Sequence, residues 1–287
     1  MLMSVSEFLA ALNIFLSITA SLGNALILVA LHKETSFHPP TKLLFRCLAI
    51  TDLCVGVISQ PLFAVLFSSY AATGMSSKAL FYINKLNITS SLLLCGVSVL
   101  TSTAISVDRL QALFSGLRYR HVVTLPRVRA VITCFWIIGI TNASIYLWKI
   151  EIAFTVFFAL IILSLTTSVF SYVKIYIKLR QRQLRVHAVP PGQPNGRQVL
   201  LNITRYKRTV SSAVWVQLTL AICYIPFLVM VILTTYARIS RGKFQVAVDI
   251  PATLTYLNSS LNPILHCWRI RSVRQAAKDT IKQLNFC

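Results

Sequence analysis

The sequence predicts an all-α integral membrane protein: a seven-transmembrane helix bundle forming one domain over 1–287, with a C-terminal amphipathic surface helix. Two observations carry that prediction. Hydrophobic residues make up 56% of the chain and charged residues only 12%, too apolar and too sparsely charged for a soluble globular chain. The charges are also grouped, and the seven uncharged stretches between them are each long enough for the roughly 20 residues that carry a helix across a bilayer.

The first stretch, between Glu7 and Lys33, predicts a helix over about 6–32, with almost no extracellular segment before it. A cleaved signal peptide is set aside, because a basic n-region is missing and the run exceeds the roughly 7 to 15 residues of a signal core. The second stretch, Asp52 to Lys78, extends back past Asp52, so its helix over 42–69 holds an acid inside the membrane. Lys85 to Asp108 gives the third helix, 79–112, and Arg129 to Lys149 the fourth, 127–148. The fifth, 151–184, follows at once, since Lys149 and Glu151 are the only charges between Ala130 and Val173. That spacing leaves a turn of only a few residues.

Between helices five and six lies VHAVPPGQPNGRQ, whose prolines and glycines cannot sustain a helix. The sixth helix is expected over 204–236 and the seventh over 246–267. Beyond them, Ile270, Val273, Ala277, Ile281 and Leu284 recur every three or four residues with Arg and Lys between, predicting the surface helix over 269–283. Cys287 after it is a candidate for lipidation, a second anchor. No internal repeat is visible, so an inverted-repeat transporter gets no support.

The net charge of +21 invites a nucleic-acid reading, but its placement follows loop parity. Of the 28 Lys and Arg, 22 lie on alternate segments, and the positive-inside rule puts those in the cytoplasm. The expected topology is a multi-pass plasma-membrane protein with its N-terminus extracellular, its C-terminus cytoplasmic, and its basic face against anionic lipid rather than nucleic acid. That topology places all seven cysteines in helices or in the cytoplasm, so no extracellular disulfide is expected. Paired catalytic carboxylates and a metal-spaced His/Cys cluster are missing from the membrane part, which argues against an enzyme.

Asp52 lies about nine residues, roughly 14 Å, inside helix two, where an aspartate costs about 2.5 to 3.5 kcal/mol. Polar residues on other helices, Asn24, Ser98, Asn258, Ser259 and Asn262, are available to compensate it, either as a hydrogen-bonded knot or as a site for a small hard cation such as Na⁺. No other cofactor is expected. Asp108 and Arg109 fall at the cytoplasmic end of helix three, and Pro226 and Pro263 interrupt the hydrogen bonding of helices six and seven.

These landmarks resemble rhodopsin-like G-protein-coupled receptors over nearly the whole chain. Gly23-Asn24 is similar to the helix-one signature, His38-Pro39-Pro40-Thr41-Lys42-Leu43-Leu44 to the first inner loop, and Leu48-Ala49-Ile50-Thr51-Asp52 to the helix-two motif. Asp108-Arg109-Leu110 resembles the helix-three motif with leucine for tyrosine, Trp136 the helix-four tryptophan, and Tyr172 the helix-five tyrosine that swings toward the arginine on activation. Cys223-Tyr224-Ile225-Pro226 and Asn262-Pro263-Ile264-Leu265-His266 resemble the motifs of helices six and seven, with tyrosine for tryptophan and histidine for tyrosine. The resemblance implies an agonist pocket in the outer half, outward movement of helix six and activation of a heterotrimeric G protein. It also implies a sodium site in the Asp52 cluster.

The departures are specific. Asn84 stands at the usual helix-three cysteine, Ser164 near the helix-five proline, and the second outer loop is almost absent, as in the melanocortin, adenosine, cannabinoid and lysophospholipid cluster. Leu62, Asn84 and Ile88 replace the ligand-binding acids of melanocortin receptors, and Tyr206 stands where many members have an acid locking Arg109. An amine receptor would carry a pocket carboxylate on helix three, where Ser91 stands, and an opsin a lysine on helix seven, where Tyr256 stands. Neither ligand is expected. What remains is an apolar pocket with Ser91, Tyr224 and Tyr256 as polar handles, suited to an extracellular small-molecule or lipid ligand better than to a large peptide. The alternatives are a receptor-like protein without G-protein signalling, hinted at by Leu110 and His266, and a channel or transporter. Of the sequons, only Asn87-Ile-Thr falls near the outer side.

Overall fold

The computed structural model describes residues 2–33, 38–71, 76–187, 214–215, 217–233, 241–269 and 274–275. The helices are α1 (Leu2–Lys33), α2 (Pro39–Cys54), α3 (Gln60–Ala71), α4 (Ser77–Ser115), α5 (Tyr119–Val122), α6 (Leu125–Trp148) and α7 (Ile150–His187). They continue with α8 (Gln217–Leu233) and α9 (Arg241–Arg269). No strand occurs among the described residues. Span two is α2 and α3 fused through a π turn at Val55–Ser59, and α5 is a short helix in the connection between spans three and four, so the described residues form seven spans. The predicted surface helix, apart from Arg269 and the helical pair 274–275, lies outside the described residues, as do Cys287, Tyr206 and the outer parts of 204–236.

Local chemistry sets the ends. Pro39 and Pro40 open α2 and Pro126 opens α6, positions where a missing N–H removes no helical hydrogen bond. Ser76 Oγ accepts from the Ala79 amide at 3.3 Å at the start of α4. Gly116, at φ 50°, turns the chain out of α4 in the left-handed region that a side chain resists. Lys149 alone, in extended backbone, separates α6 from α7. The helices overrun their predicted limits: the third span reaches Ser77–Ser115 and the fifth Ile150–His187. Charges mark where hydrocarbon ends, while the helix continues through the interface.

Five helical segments among the described residues are long and apolar enough to cross a membrane, and α8 is a shorter apolar helix. α9 is not among them. Its polar residues Thr253, Asn258, Ser259, Ser260 and Asn262 are all buried, so they face protein instead of lipid. α4 runs through the middle of the bundle, packed on spans two, four and five. α1 approaches α9 where Gly23 meets Pro263, a Cβ at Gly23 coming within 3.0 Å of that ring. Pro263 has no N–H to offer the carbonyl four residues back, that of Ser259. Asn24 fills the gap, its Nδ2 donating to the Ser259 carbonyl at 3.1 Å and to the Ala20 carbonyl at 2.9 Å.

Candidate ligand cavity and inner switch

The half of the bundle that holds the start of α4 encloses a cavity of about 380 Å³, lined by spans two to seven. Phe63, Phe81, Phe154, Phe157 and Phe227 supply much of the wall. Its floor is a polar lock. The Ser91 and Tyr256 hydroxyls lie 2.7 Å apart, and Asn87 Nδ2 donates to the Tyr256 hydroxyl at 3.2 Å and to the Ser59 carbonyl at 2.7 Å. The π turn of span two, which ends at Ser59, therefore meets spans three and seven at this point. Asp249, 7% exposed, lines the same cavity seven residues before Tyr256 on α9.

One turn inward, α9 reaches the buried acid. Asp52, fully buried, accepts at Oδ1 from the Ser98 and Ser259 hydroxyls, each at 2.9 Å, and at Oδ2 from Asn262 Nδ2 at 2.7 Å. Three donors from spans three and seven thus compensate a carboxylate that lipid would not tolerate. Asn258 and Asn262 sit four apart on α9, and each keeps a buried amide oxygen with no protein donor. Among the described residues, no group of three His, Cys, Asp or Glu side chains gathers as a metal site.

Toward the opposite end of α4, Asp108 is buried and accepts from the Thr41 hydroxyl at 3.1 Å and the Tyr119 hydroxyl at 2.7 Å. Tyr119 belongs to α5, and its ring also packs on His38 at 5.1 Å. Burial, and next the adjacent Asp108 carboxylate, push the Tyr119 phenol well above its ordinary pKa, so it stays a donor at physiological pH. The Arg109 guanidinium lies over the Phe45 ring, 5.6 Å from its centroid, on span two. Tyr172 is tied to span three through its hydroxyl, 2.7 Å from Ser106 Oγ.

Comparison with known proteins decides the family. The family model described as "7 transmembrane receptor (rhodopsin family)" matches residues 23–148 and 141–266. The chain belongs to that family. Melanocortin receptor 4 of Danio rerio is 24% identical over 288 residues, covering 95% of this chain and 84% of the relative. The receptor is accordingly a multi-pass membrane protein and not an enzyme.

Several sequence expectations are placed differently by the receptor's structure. Tyr224, expected as a ligand contact, does not line the cavity: it is 1% exposed and packs beneath it, its ring 6.3 Å from that of Phe157. Asn24, expected around the acid, serves the α9 backbone instead. Asn87, whose sequon falls near the outer side, is 3% exposed and spends its amide on the cavity floor. Ser164, in place of proline, donates to the Val99 carbonyl at 3.2 Å and bonds Thr103, so α7 runs unbroken against α4. Asp249, singled out for no role in the sequence, lines the cavity from span seven. Pro226 and Pro263 both lie inside continuous helices.

Sequence reasoning passed over Thr41 and Tyr119 as partners of Asp108, and Asn87 as a partner of Tyr256. For Asn87 a signal existed, since it stands four residues before Ser91 and shares its helix face. For Tyr119 there was none, because a left-handed glycine turn carries it back to Asp108. Tyr119→Phe removes a donor to a buried carboxylate and is expected to cost about 1.5 to 3 kcal/mol of stability. A thermal unfolding midpoint unchanged from wild type in the purified receptor would refute this.

Proposed function

We infer that this receptor sits in the plasma membrane with its N-terminus outside, takes a small extracellular ligand into the outer cavity, and activates a heterotrimeric G protein through Arg109. One observation carries the reading. Tyr256 on the cavity floor, and Ser259 and Asn262 on the Asp52 carboxylate, are successive inward positions of one helix, α9. A ligand that displaces the floor therefore pulls on the residues holding the polar core. From there Asp52 is tied to α4, which carries Asp108 and Arg109 near its C-terminal end.

The cavity volume fits a small molecule rather than a large peptide. Na⁺ fits the polar core: Asp52 supplies a carboxylate, and the partnerless oxygens of Asn258 and Asn262 are acceptors that a hard cation would take. Bound there, the ion would supply positive charge that holds the carboxylate and α9 in one arrangement.

The test is basal G-protein activation in cells expressing wild type or Arg109→Ala at matched surface levels, read across several G-protein classes. Because Tyr206 replaces an acid that would restrain Arg109, wild type is expected to signal without agonist and the variant to fall to the empty-vector level. Wild-type signalling at the empty-vector level would remove the support for basal coupling. Equal signalling in both would remove Arg109 from the mechanism.

A further inference from the structure

We propose that Ser102, Ser168 and Gln217 hold a small group of buried water molecules where spans three, five and six meet, between the Asp52 cluster and the Ser106–Tyr172 contact. Four polar atoms define the place. Ser102 Oγ, Ser168 Oγ and both amide atoms of Gln217 have no hydrogen-bond partner among the described residues. The three residues are 3%, 0% and 5% exposed, so the surroundings of the bundle do not satisfy them either.

Helix register brings the three together. On α4, Ser98 donates to Asp52 and Ser106 meets Tyr172, and Ser102 stands four residues from each, on the same face. On α7, Ser164 bonds Thr103 and Tyr172 bonds Ser106, and Ser168 again stands four residues from each. These pairings ascend together along both helices, so the two stripes run side by side. On span six, Val214 packs with Tyr172 on the cluster of Leu113, Ile175 and Leu179, and Leu220 belongs to the cluster of Cys95 and Val99. Gln217 lies three residues from both Val214 and Leu220, which turns it to the same interior.

Other hydroxyls of α4 and α7 turn back on their own backbone. Thr103 donates to the Val99 carbonyl at 3.0 Å, Ser106 to the Ser102 carbonyl at 3.1 Å and Ser171 to the Thr167 carbonyl at 2.8 Å. Ser102 and Ser168 point elsewhere. A hydroxyl or amide left dry in a protein interior carries its full desolvation cost, whereas a buried water makes about three hydrogen bonds to such groups. Two hydroxyls and an amide, with no carboxylate in the set, suit neutral water rather than a metal cation. Spans that meet through water rather than interlocked methyl groups can shift against one another without opening a cavity, because the water rearranges with them.

The experiment is millisecond X-ray radiolysis of the purified full-length receptor in lipid nanodiscs, with water itself as the probe. Hydroxyl radicals formed from an internal water oxidise the side chains beside it, and mass spectrometry reads the rate at each residue. Leu220, fully buried and one turn from Gln217, is compared with Ile27, equally buried in the apolar cluster between spans one and two. With rates normalised to intrinsic reactivity, Leu220 is expected to react about threefold faster or more in wild type, and at the Ile27 rate in Gln217→Leu, which offers water no polar atom. The proposal is overturned if Leu220 reacts no faster than Ile27 in wild type, or as fast in Gln217→Leu as in wild type. A raised Ile27 rate would reveal a misfolded Gln217→Leu. The nearly isosteric pair Ser102→Ala with Ser168→Ala then carries the comparison, where a lower Leu220 rate supports the proposal and an unchanged one overturns it.

Discussion

Asp52→Ala is expected to lower the stability of the detergent-purified receptor by on the order of 3 kcal/mol or more, the largest single-residue effect in the polar core. The carboxylate is the shared acceptor for Ser98, Ser259 and Asn262, contributed by two other spans. Truncating it orphans three buried donors, and each orphan costs roughly 1 to 3 kcal/mol. Asp52→Asn behaves differently. Its amide oxygen still accepts from the two serines, and Asn262 needs only to turn its own amide so that its oxygen accepts from the new NH₂. Most of the stability should return, while the negative charge that would attract Na⁺ is gone. Unfolding midpoints with NaCl against an equal concentration of N-methylglucamine chloride should therefore differ for wild type and coincide for Asp52→Asn. A sodium effect that persists in Asp52→Asn would place the ion elsewhere. An alanine variant as stable as the asparagine one would mean that the three donors find other acceptors.

Gly56→Leu is expected to remove most of the receptor from the cell surface. The residue lies in the π turn of span two, where a Cβ would come within 2.8 Å of Ser21 Oγ and 3.0 Å of both the Ala20 Cβ and the Ser21 amide nitrogen on α1. The backbone nitrogen cannot rotate away, so α1 itself has to move. That movement breaks the 2.6 Å bond from Ser17 Oγ to the Gly56 carbonyl, which holds the two spans at this separation. Helices in lipid gain little from burying apolar surface against one another and rely on such close approach between small residues. Overpacking costs about 1 to 3 kcal/mol in ordinary cores, and a leucine side chain reaches well past its own Cβ. Gly56→Ala should give an intermediate loss. Flow cytometry of an epitope-tagged receptor, surface against total, measures both, and a Gly56→Leu surface fraction equal to wild type would show that the spans separate at no cost.

Much of this architecture is legible in the sequence because membrane insertion is a problem of length and charge. Uncharged runs reveal the spans whatever their packing, and an acid such as Asp52 is conspicuous because lipid penalises it. Its partners Ser98, Ser259 and Asn262 were legible too, since few polar residues at that depth were available to choose among. The cavity was less so. Tyr224 looked like a ligand contact and is packed beneath the floor, while Asp249, which the sequence did not single out, lines the wall. The two differ in depth along their helices and in which way each helix is turned, and neither property follows from composition.

The sequence by itself determined the number of spans, the family and the acid at the centre of the bundle, since each depends on how residues distribute between water and hydrocarbon. Only the tertiary structure decided which polar groups meet. Asn24 caps a carbonyl 235 residues away because Gly23 lets α9 close in at Pro263. Tyr119 reaches Asp108 because Gly116 turns the chain back at the membrane surface. In both cases a hydrogen bond depends on two backbones approaching within a few ångströms, and that approach is fixed by packing between helices, which a one-dimensional pattern of charge does not record.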